Sequence, residues 1–329
     1  MQYLHLDSTD PATNLALEEA LLHVLHEGAP GYFLLWRNAP SIILGRNQNA
    51  LEEINRNEVE RRNLAVVRRS TGGGAVYHDL GNLNFSFLEC KKEARSVDFA
   101  RYLAPVQRAL HRAGVEATLS GRNDLEVGGR KISGSAQRLA QDRVLHHGTL
   151  LVNADFEAMT RALQPDPDKF LSHGVASVRA RVANVSEFWA EGMTLDRLCT
   201  LLCEEVGAEP GHIDASTLAQ AQRIRRERYG SWEWNIGSSP RFTARMARRF
   251  PWGRVQICVQ VRKGRIAECR IYGDFFAKDD VRRLEQLLVG APLRREELGR
   301  RLCGVNFSSF FVGCTEEMDS EIRDFFLSL

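Results

Sequence analysis

The chain has no run of about 18 consecutive apolar residues, so no membrane-spanning helix is expected. Met1 to Asp10 shows no charged start followed by an apolar run, and no Arg/Ser-rich amphipathic pattern, so neither a secretory signal nor a transit peptide is expected there. No Cys-x-x-Cys occurs. The seven cysteines are scattered and odd in number, which reads as reduced side chains in a reducing, cytoplasmic setting. Cys199 and Cys203 stand four apart on a helical stretch, but two soft ligands do not make a metal site. Excess charge is also missing. The formal net charge is +2, and no basic block is interleaved with aromatics, which argues against nucleic acid and leaves an acidic protein partner compatible. Internal repeats and low-complexity tracts are absent. So are Gly-x4-Gly-Lys-Ser/Thr and any Gly-x-Gly-x-x-Gly opening a helix, which excludes the P-loop and the dinucleotide fingerprint. What remains is a soluble globular chain of 329 residues, 43% hydrophobic, long enough for two domains.

The most unusual stretch present is Arg68-Arg69-Ser70-Thr71-Gly72-Gly73-Gly74-Ala75-Val76-Tyr77-His78-Asp79. Leu64 to Val67 before it reads as a buried strand, and Asn82 to Phe87 after it alternates polar and apolar like a half-buried one. The glycines therefore join two strands. Free backbone N–H groups beside arginine suit an anion such as phosphate or carboxylate, although three glycines alone could be a simple turn. Ser86 is the nearest candidate nucleophile to His78-Asp79, but it sits in a strand without a nucleophile elbow, so a catalytic triad is not expected.

A second stretch is Asn123-Asp124-Leu125-Glu126-Val127-Gly128-Gly129-Arg130-Lys131-Ile132-Ser133-Gly134-Ser135-Ala136-Gln137. Gly128-Gly129 signals a tight hairpin that returns Lys131 towards Asn123-Asp124. Strand alternation predicts that Lys131, Ser133, Ser135 and Gln137 share one face, with Ile132, Gly134 and Ala136 on the other. A wholly polar face suits a lined pocket, or else a solvated sheet surface.

Elsewhere, Asp10-Pro11 opens a helix that Gly28 ends. Within it Glu18 falls among apolar positions and, on its own, reads first as a solvated helix-face acid. Tyr32–Arg37 and Ser41–Leu44 read as strands, with Trp36 as core by composition. Leu51–Arg62 and Val97–Ala113 read as helices, the second with Pro105 as a kink. In the strand 143–152, Leu145, His147 and Thr149 share a face. Ala154–Leu163, Leu195–Val206 and Ala215–Arg228 follow as helices. Phe250-Pro251-Trp252 reads as a break, followed by strands at 255–261 and 265–272 and helices near 279–288 and 295–303. About 80 residues of this kind are enough for a small domain.

The two central stretches, with His146-His147-Gly-Thr-Leu-Leu151, Ser177-Val-Arg-Ala-Arg-Val-Ala-Asn184 and Trp232-Glu-Trp-Asn-Ile-Gly237, resemble the lipoate–protein ligase A family, in order from about residue 10 to beyond 250. The resemblance implies an α+β fold. A large mixed-sheet catalytic domain of the biotin/lipoate ligase type (class II synthetase-like) spans 1–248, and a small α+β accessory domain spans 249–329. It implies activation of lipoate by ATP to lipoyl-AMP, then transfer to a lysine of a lipoyl carrier domain, on a 2-oxoacid dehydrogenase E2 subunit or the glycine cleavage H protein. By the same resemblance Lys131 is catalytic, and Arg69, Gly74, Ala75, Val76, Tyr77 and Lys131 bind ATP. Lipoate falls to Glu18, Trp36, Arg69, Thr71, Gly73, Gly74, His78, Lys131, Ser133, Leu145 and His147. Asp124, with Asn123, would hold Mg2+. A loop near 173–184 moves on nucleotide binding in the family, and a monomer is expected.

Three other readings share much of this pattern: a transferase that needs preformed lipoyl-AMP, a cysteine-dependent octanoyltransferase, and a non-catalytic ligand sensor. Cys90 is the only cysteine before Cys199 and lies outside the matched motifs, which weakens the second. A polynucleotide ligase is excluded, because Lys131 precedes Ile-Ser-Gly and not x-Asp-Gly.

Overall fold

The computed structural model describes residues 1–91, 98–121, 123–163, 180–237 and 244–329. Arg122 and most of the segment 173–184 lie outside them. The chain forms two compact units, and neither is continuous in sequence. The first comprises Met1–Leu44, Leu51–Ser70 and Ala75–Asn235; the second comprises Gly45–Ala50, Thr71–Gly74 and Ile236–Leu329.

The first unit is built on a mixed sheet. In chain order its strands are β1 (Gln2–Leu6), β2 (Tyr32–Trp36), β3 (Ser41–Leu44), β4 (Ala65–Arg68), β5 (Val76–His78), β6 (Asn82–Cys90), β7 (Thr118–Ser120), β8 (Asp124–Val127), β9 (Arg130–Ala140), β10 (Arg143–Leu151) and β11 (Glu209–Pro210). Eight of them form one sheet in the order β11-β1-β2-β6-β10-β9-β8-β7, and β4-β3-β5 form a second. The pairs β1/β11, β1/β2 and β3/β4 are parallel, the rest antiparallel. The first helix, Pro11–Val24, is capped by the Asp10 carboxylate, which accepts from the Thr13 N–H, with proline in the first turn as expected. Its apolar side chains join Leu34, Trp36, Leu88 and Leu145 in one core.

Local competition explains where elements depart from expectation. The single helix foreseen at 51–62 is two, Ala50–Glu53 and Arg56–Arg62, because the Asn55 side chain caps the second by accepting from the Glu58 N–H. Val76–His78 reads as loop in the sequence, yet pairs antiparallel with Ser41–Ile43. The helix foreseen from Val97 begins at Phe99, capped by Asp98, and carries Pro105 inside it.

The second unit holds an antiparallel sheet of β12 (Ala244–Phe250), β13 (Gly253–Arg262) and β14 (Arg265–Gly273), with helices Arg282–Leu288, Arg295–Arg301 and Asp319–Leu327. Phe250 pairs with Gly253, so Pro251-Trp252 is a hairpin turn inside this unit and not the boundary before it. Its core packs aliphatic side chains around aromatic ones, among them Phe250, Trp252, Phe275, Phe307, Phe311 and Phe326. The glycine loop belongs here too. A Cβ on Gly72 would stand 2.5 Å from the Phe275 carbonyl oxygen, so only glycine lets this backbone approach. Gly73 takes a left-handed φ of 91°, and a Cβ on Gly74 would meet open space. The three adjacent glycines thus answer to three different constraints.

Among the described residues no helix is long and apolar enough to cross a membrane.

His146 is a feature of the first unit's core that the sequence does not announce. It is fully buried among Tyr102, Phe85, Phe87 and Phe99, stacked on Tyr102 with ring centroids 4.8 Å apart. Neither ring nitrogen has a hydrogen-bond partner among the described residues. Burial, then the neighbouring His147, holds its pKa well below the usual value. A histidine neutral when folded but titrating near 6.5 when unfolded makes the unfolded chain bind more protons as pH falls. Its stabilisation is therefore complete above about 6.5 and declines below it, by about 1.4 kcal/mol per pH unit, until the folded group also protonates. His146→Phe removes this dependence and two unpaired polar atoms. In urea denaturation the variant should match or exceed wild type at about pH 7.5, and its advantage should grow at about pH 5.5. A constant difference between the two pH values contradicts the argument.

Candidate active site

Register sets the site. On one face of the large sheet Leu34, Ser86, His147 and Ala136 lie in one row across β2, β6, β10 and β9. Trp36, Asn84, Thr149, Gly134 and Asp124 make the next row, and Leu88, Leu145 and Arg138 another. The expected alignment of Leu145, His147 and Thr149 is therefore observed.

The first helix lowers Glu18 onto this face. Glu18 is 2% exposed, so the solvated-acid reading does not hold. Its carboxylate accepts from the Ser86 hydroxyl at 2.7 Å and lies 2.9 and 3.1 Å from His147 Nδ1. Ser86 in turn accepts from Trp36 Nε1 at 2.9 Å. A buried carboxylate needs such donors. The arrangement also disposes of a serine triad, because the Ser86 proton is committed to a carboxylate and not to a histidine. Nothing activates the Cys90 thiol: burial and then Asp142, whose carboxylate it contacts at 3.3 Å, push its pKa up.

Arg69 is buried and donates to the Ile43 carbonyl. Burial pulls its pKa down to about 10, opposed by Glu18, so it is still cationic at neutral pH. His78 is 3% exposed, and its ring centroid is 6.3 Å from that of Trp36. Burial, then Arg69 and His147, push its pKa down to about 3.

Lys131 Nζ is 2.9 Å from Asp124 Oδ1. Here the expected face alternation fails. Leu125 pairs with Ser133 and Glu126 with Lys131, so Ile132 is an extra residue, a β-bulge. The bulge turns Lys131 to the face of Asp124 and Gly134, and sends Ser133, Ser135 and Gln137 to the other. Ser133 pairs with Leu150 and Ser135 with Gly148, and a Cβ on Gly148 would stand 2.7 Å from Ser135 Oγ. Gln137 accepts from the Asp98 N–H. Ser133 is thus not brought beside Lys131. Gly134 is: a Cβ there would stand 2.9 Å from Lys131 Nζ, so the missing side chain makes room for the ammonium group. The Asn123 side chain donates to the Ser135 carbonyl, and the Lys131 backbone bonds to Arg181 and Ala183.

Several residues carry the site without having been singled out. Trp234 and Asn235 clamp Arg68: the Arg68 N–H donates to Asn235 Oδ1 at 2.8 Å, its guanidinium to the Trp234 and Asn235 carbonyls, and Trp234 Nε1 to the Arg68 carbonyl. Glu19, beside Glu18, accepts from the Tyr229 hydroxyl at 2.7 Å and from Arg228. The Trp-Glu-Trp-Asn sequence was a usable signal for the clamp. Nothing local marks the tandem acids as buried. Tyr77 is buried in β5, with Val76 and Ala75 partly exposed. Thr71, Gly73 and Gly74 lie in the second unit, where the Thr71 carbonyl accepts from the Arg46 N–H.

Comparison with known proteins identifies the family. Residues 10–207 match the lipoyl protein ligase A/B catalytic domain, and residues 239–322 match the bacterial lipoate protein ligase C-terminus. A lipoate–protein ligase of Bacillus subtilis is 42% identical over 315 residues, 94% of this chain and 95% of that protein. The crystal structure of P. falciparum LipL1 in complex with lipoate superposes with a TM-score of 0.83 at 26% identity, covering 100% of this chain and 99% of that one. A lipoate–protein ligase A bound with ATP superposes with a TM-score of 0.62 at 26% identity, over 72% of this chain and 98% of the other. By sequence over nearly its whole length and by fold, the chain belongs to the lipoate–protein ligase family.

Proposed function

We propose that the protein joins lipoate to carrier proteins in two steps, both served by the sheet face that bears Lys131. A free carboxylate does not acylate an amine at neutral pH, because oxide is too poor a leaving group. Attack of the lipoate carboxylate on the α-phosphorus of ATP forms the mixed anhydride lipoyl-AMP and releases pyrophosphate. A carrier lysine amine then attacks the acyl carbon, forming an amide and releasing AMP.

The first step brings two anions together, so it needs fixed positive charge and donors. Lys131 supplies a point charge with three donors, placed by the bulge and by Gly134. Arg69, with the backbone of Ala75, Val76 and Tyr77, serves the phosphates and the ligand's polar atoms, and Gly74 is assigned to the nucleotide and to lipoate by family position alone. Glu18, Trp36, His78, Leu145 and His147 line the acyl site, with Thr71 and Gly73 assigned to lipoate by family position alone. The observation that carries the reading is the separation of two polar centres on one face. The rows run Trp36–Asn84–Thr149–Gly134, three inter-strand steps or about 14 Å. That span suits an extended acyl chain with its carboxylate at Lys131.

Mg2+ fits as an ion arriving with the nucleotide. Among the described residues no cluster of three or more His, Cys, Asp or Glu groups could hold a metal, and Asp124 offers one anionic oxygen pair beside Lys131. One carboxylate plus phosphate and water is how this hard cation is usually held. Asp124 would hold it, with Asn123 at its side, and the ion would neutralise phosphate charge. The carriers are lipoyl domains of 2-oxoacid dehydrogenase E2 subunits or the glycine cleavage H protein, the protein acts as a cytoplasmic monomer, and the two units serve as catalytic and accessory domains.

The deciding assay is carrier modification. Free lipoate and ATP should suffice; activity only from supplied lipoyl-AMP would make the protein a transferase. Lys131→Ala should keep its circular dichroism spectrum and lose roughly 10²–10³-fold in adenylation rate, the cost of one preorganised donor. Near wild-type adenylation by the purified variant ends the assignment. Asp124→Asn preserves shape and removes charge, so its Mg2+ requirement should rise steeply while lipoate binding changes little. An unchanged Mg2+ titration counts against Asp124.

A further inference from the structure

The side chain of His78 is held in one tautomer by a chain of amides. Asn14 Nδ2 donates to the backbone carbonyls of Ser8 at 2.8 Å and Arg37 at 3.2 Å, which can only accept. The orientation of Asn14 is thereby set, and the same Nδ2 meets Asn38 Oδ1 at 3.0 Å. Asn38 must then turn its own Nδ2 to His78 Nδ1, 3.0 Å away. The Nδ1 atom is an acceptor, so in the neutral ring the proton is on Nε2. Asn14, Asn38 and His78 are all at least nine-tenths buried.

That Nε2–H has no partner among the described residues. The groups around it do not supply one. Arg69 offers only donors, the Trp36 indole proton is given to Ser86, and His147 Nδ1 is engaged with Glu18. A buried donor without an acceptor is costly, and the His78 ring stands edge-on to Trp36 with centroids 6.3 Å apart, so the geometry points to a ligand atom at that end of the site.

The ligand atom follows from the span of the site. With the carboxylate at Lys131, about 14 Å of sheet face along this row separates it from Trp36. The far end of lipoate carries two dithiolane sulfurs, which are weak acceptors. The far end of octanoate carries a methyl group, which accepts nothing.

We propose that the Asn14–Asn38–His78 relay presents a fixed N–H donor to a dithiolane sulfur and so selects lipoate over unsubstituted acyl chains. His78 is the contacting residue, and Asn38 and Asn14 are positioning residues. Octanoate would leave the buried donor unpaired, which is how a polar subsite rejects an analogue lacking its partner. This inference rests on the reading that Lys131 receives the carboxylate.

The test measures adenylation kcat/KM with lipoate and with octanoate for wild type, His78→Phe and Asn38→Leu, alongside nitrogen-15 NMR of histidine-labelled wild type. Wild type should favour lipoate by roughly 3- to 10-fold, the range for one hydrogen bond. In His78→Phe lipoate should lose more than octanoate, mainly through KM, so that the ratio collapses towards one. Asn38→Leu should move the ratio the same way and release the fixed tautomer. The wild-type spectrum should show His78 neutral with the proton on Nε2. A proton on Nδ1, or no lipoate preference in wild type, overturns the proposal even if the variants fail to fold. An equal loss of both substrates in folded variants overturns it too. Failure of the underlying reading looks different: Lys131→Ala would adenylate both acids at near the wild-type rate.

Discussion

The buried carboxylate of Glu18 is the constraint on which the site depends. An acid with 2% exposure is tolerated only where donors meet it, and here they come from two different strands, Ser86 on β6 and His147 on β10. Meeting both forces the first helix to sit over the β6/β10 pair at one height. Trp36 is then tied in through Ser86, and the apolar side chains of the same helix pack into one core with Leu34, Leu88 and Leu145. One side chain thus joins the seating of a helix, the register of three strands and the polarity of this sheet face.

Glu19, its neighbour, faces another way and does a different job. It accepts from Tyr229 and Arg228 and ties the helix to the segment that also supplies Trp234 and Asn235. Those two in turn clamp Arg68 at the end of β4. A continuous set of buried hydrogen bonds therefore runs from the first helix to the strand that leads into the glycine loop. Such networks specify one arrangement because each member, left unpaired, would be costly.

The glycine loop divides its work in a way that composition hides. Gly72 is glycine because backbone lies against it, Gly73 because its φ is positive, and only Gly74 has open space where a side chain would be. Anion binding accounts for at most part of that run. Packing within the second unit accounts for the rest.

The sequence by itself determined most of the element list, the mixed α+β class and the family, since strand and helix periods, caps and ordered motifs are local properties of the chain. It also placed Leu145, His147 and Thr149 correctly on one face, because period-two alternation holds along an unbroken strand. Alternation failed at Lys131 because a bulge is decided by the pairing of β8 with β9, and one extra residue reverses every side chain beyond it. Ser133 was lost from the expected site for that reason, and Gly134 gained. The burial of Glu18, the unpaired ring of His146 and the Asn14–Asn38–His78 chain were likewise invisible, since each joins or buries residues far apart in sequence. The second unit's claim on Gly45–Ala50 and Thr71–Gly74 has the same origin. Contacts between distant segments arise only in the folded chain, and no local pattern encodes them.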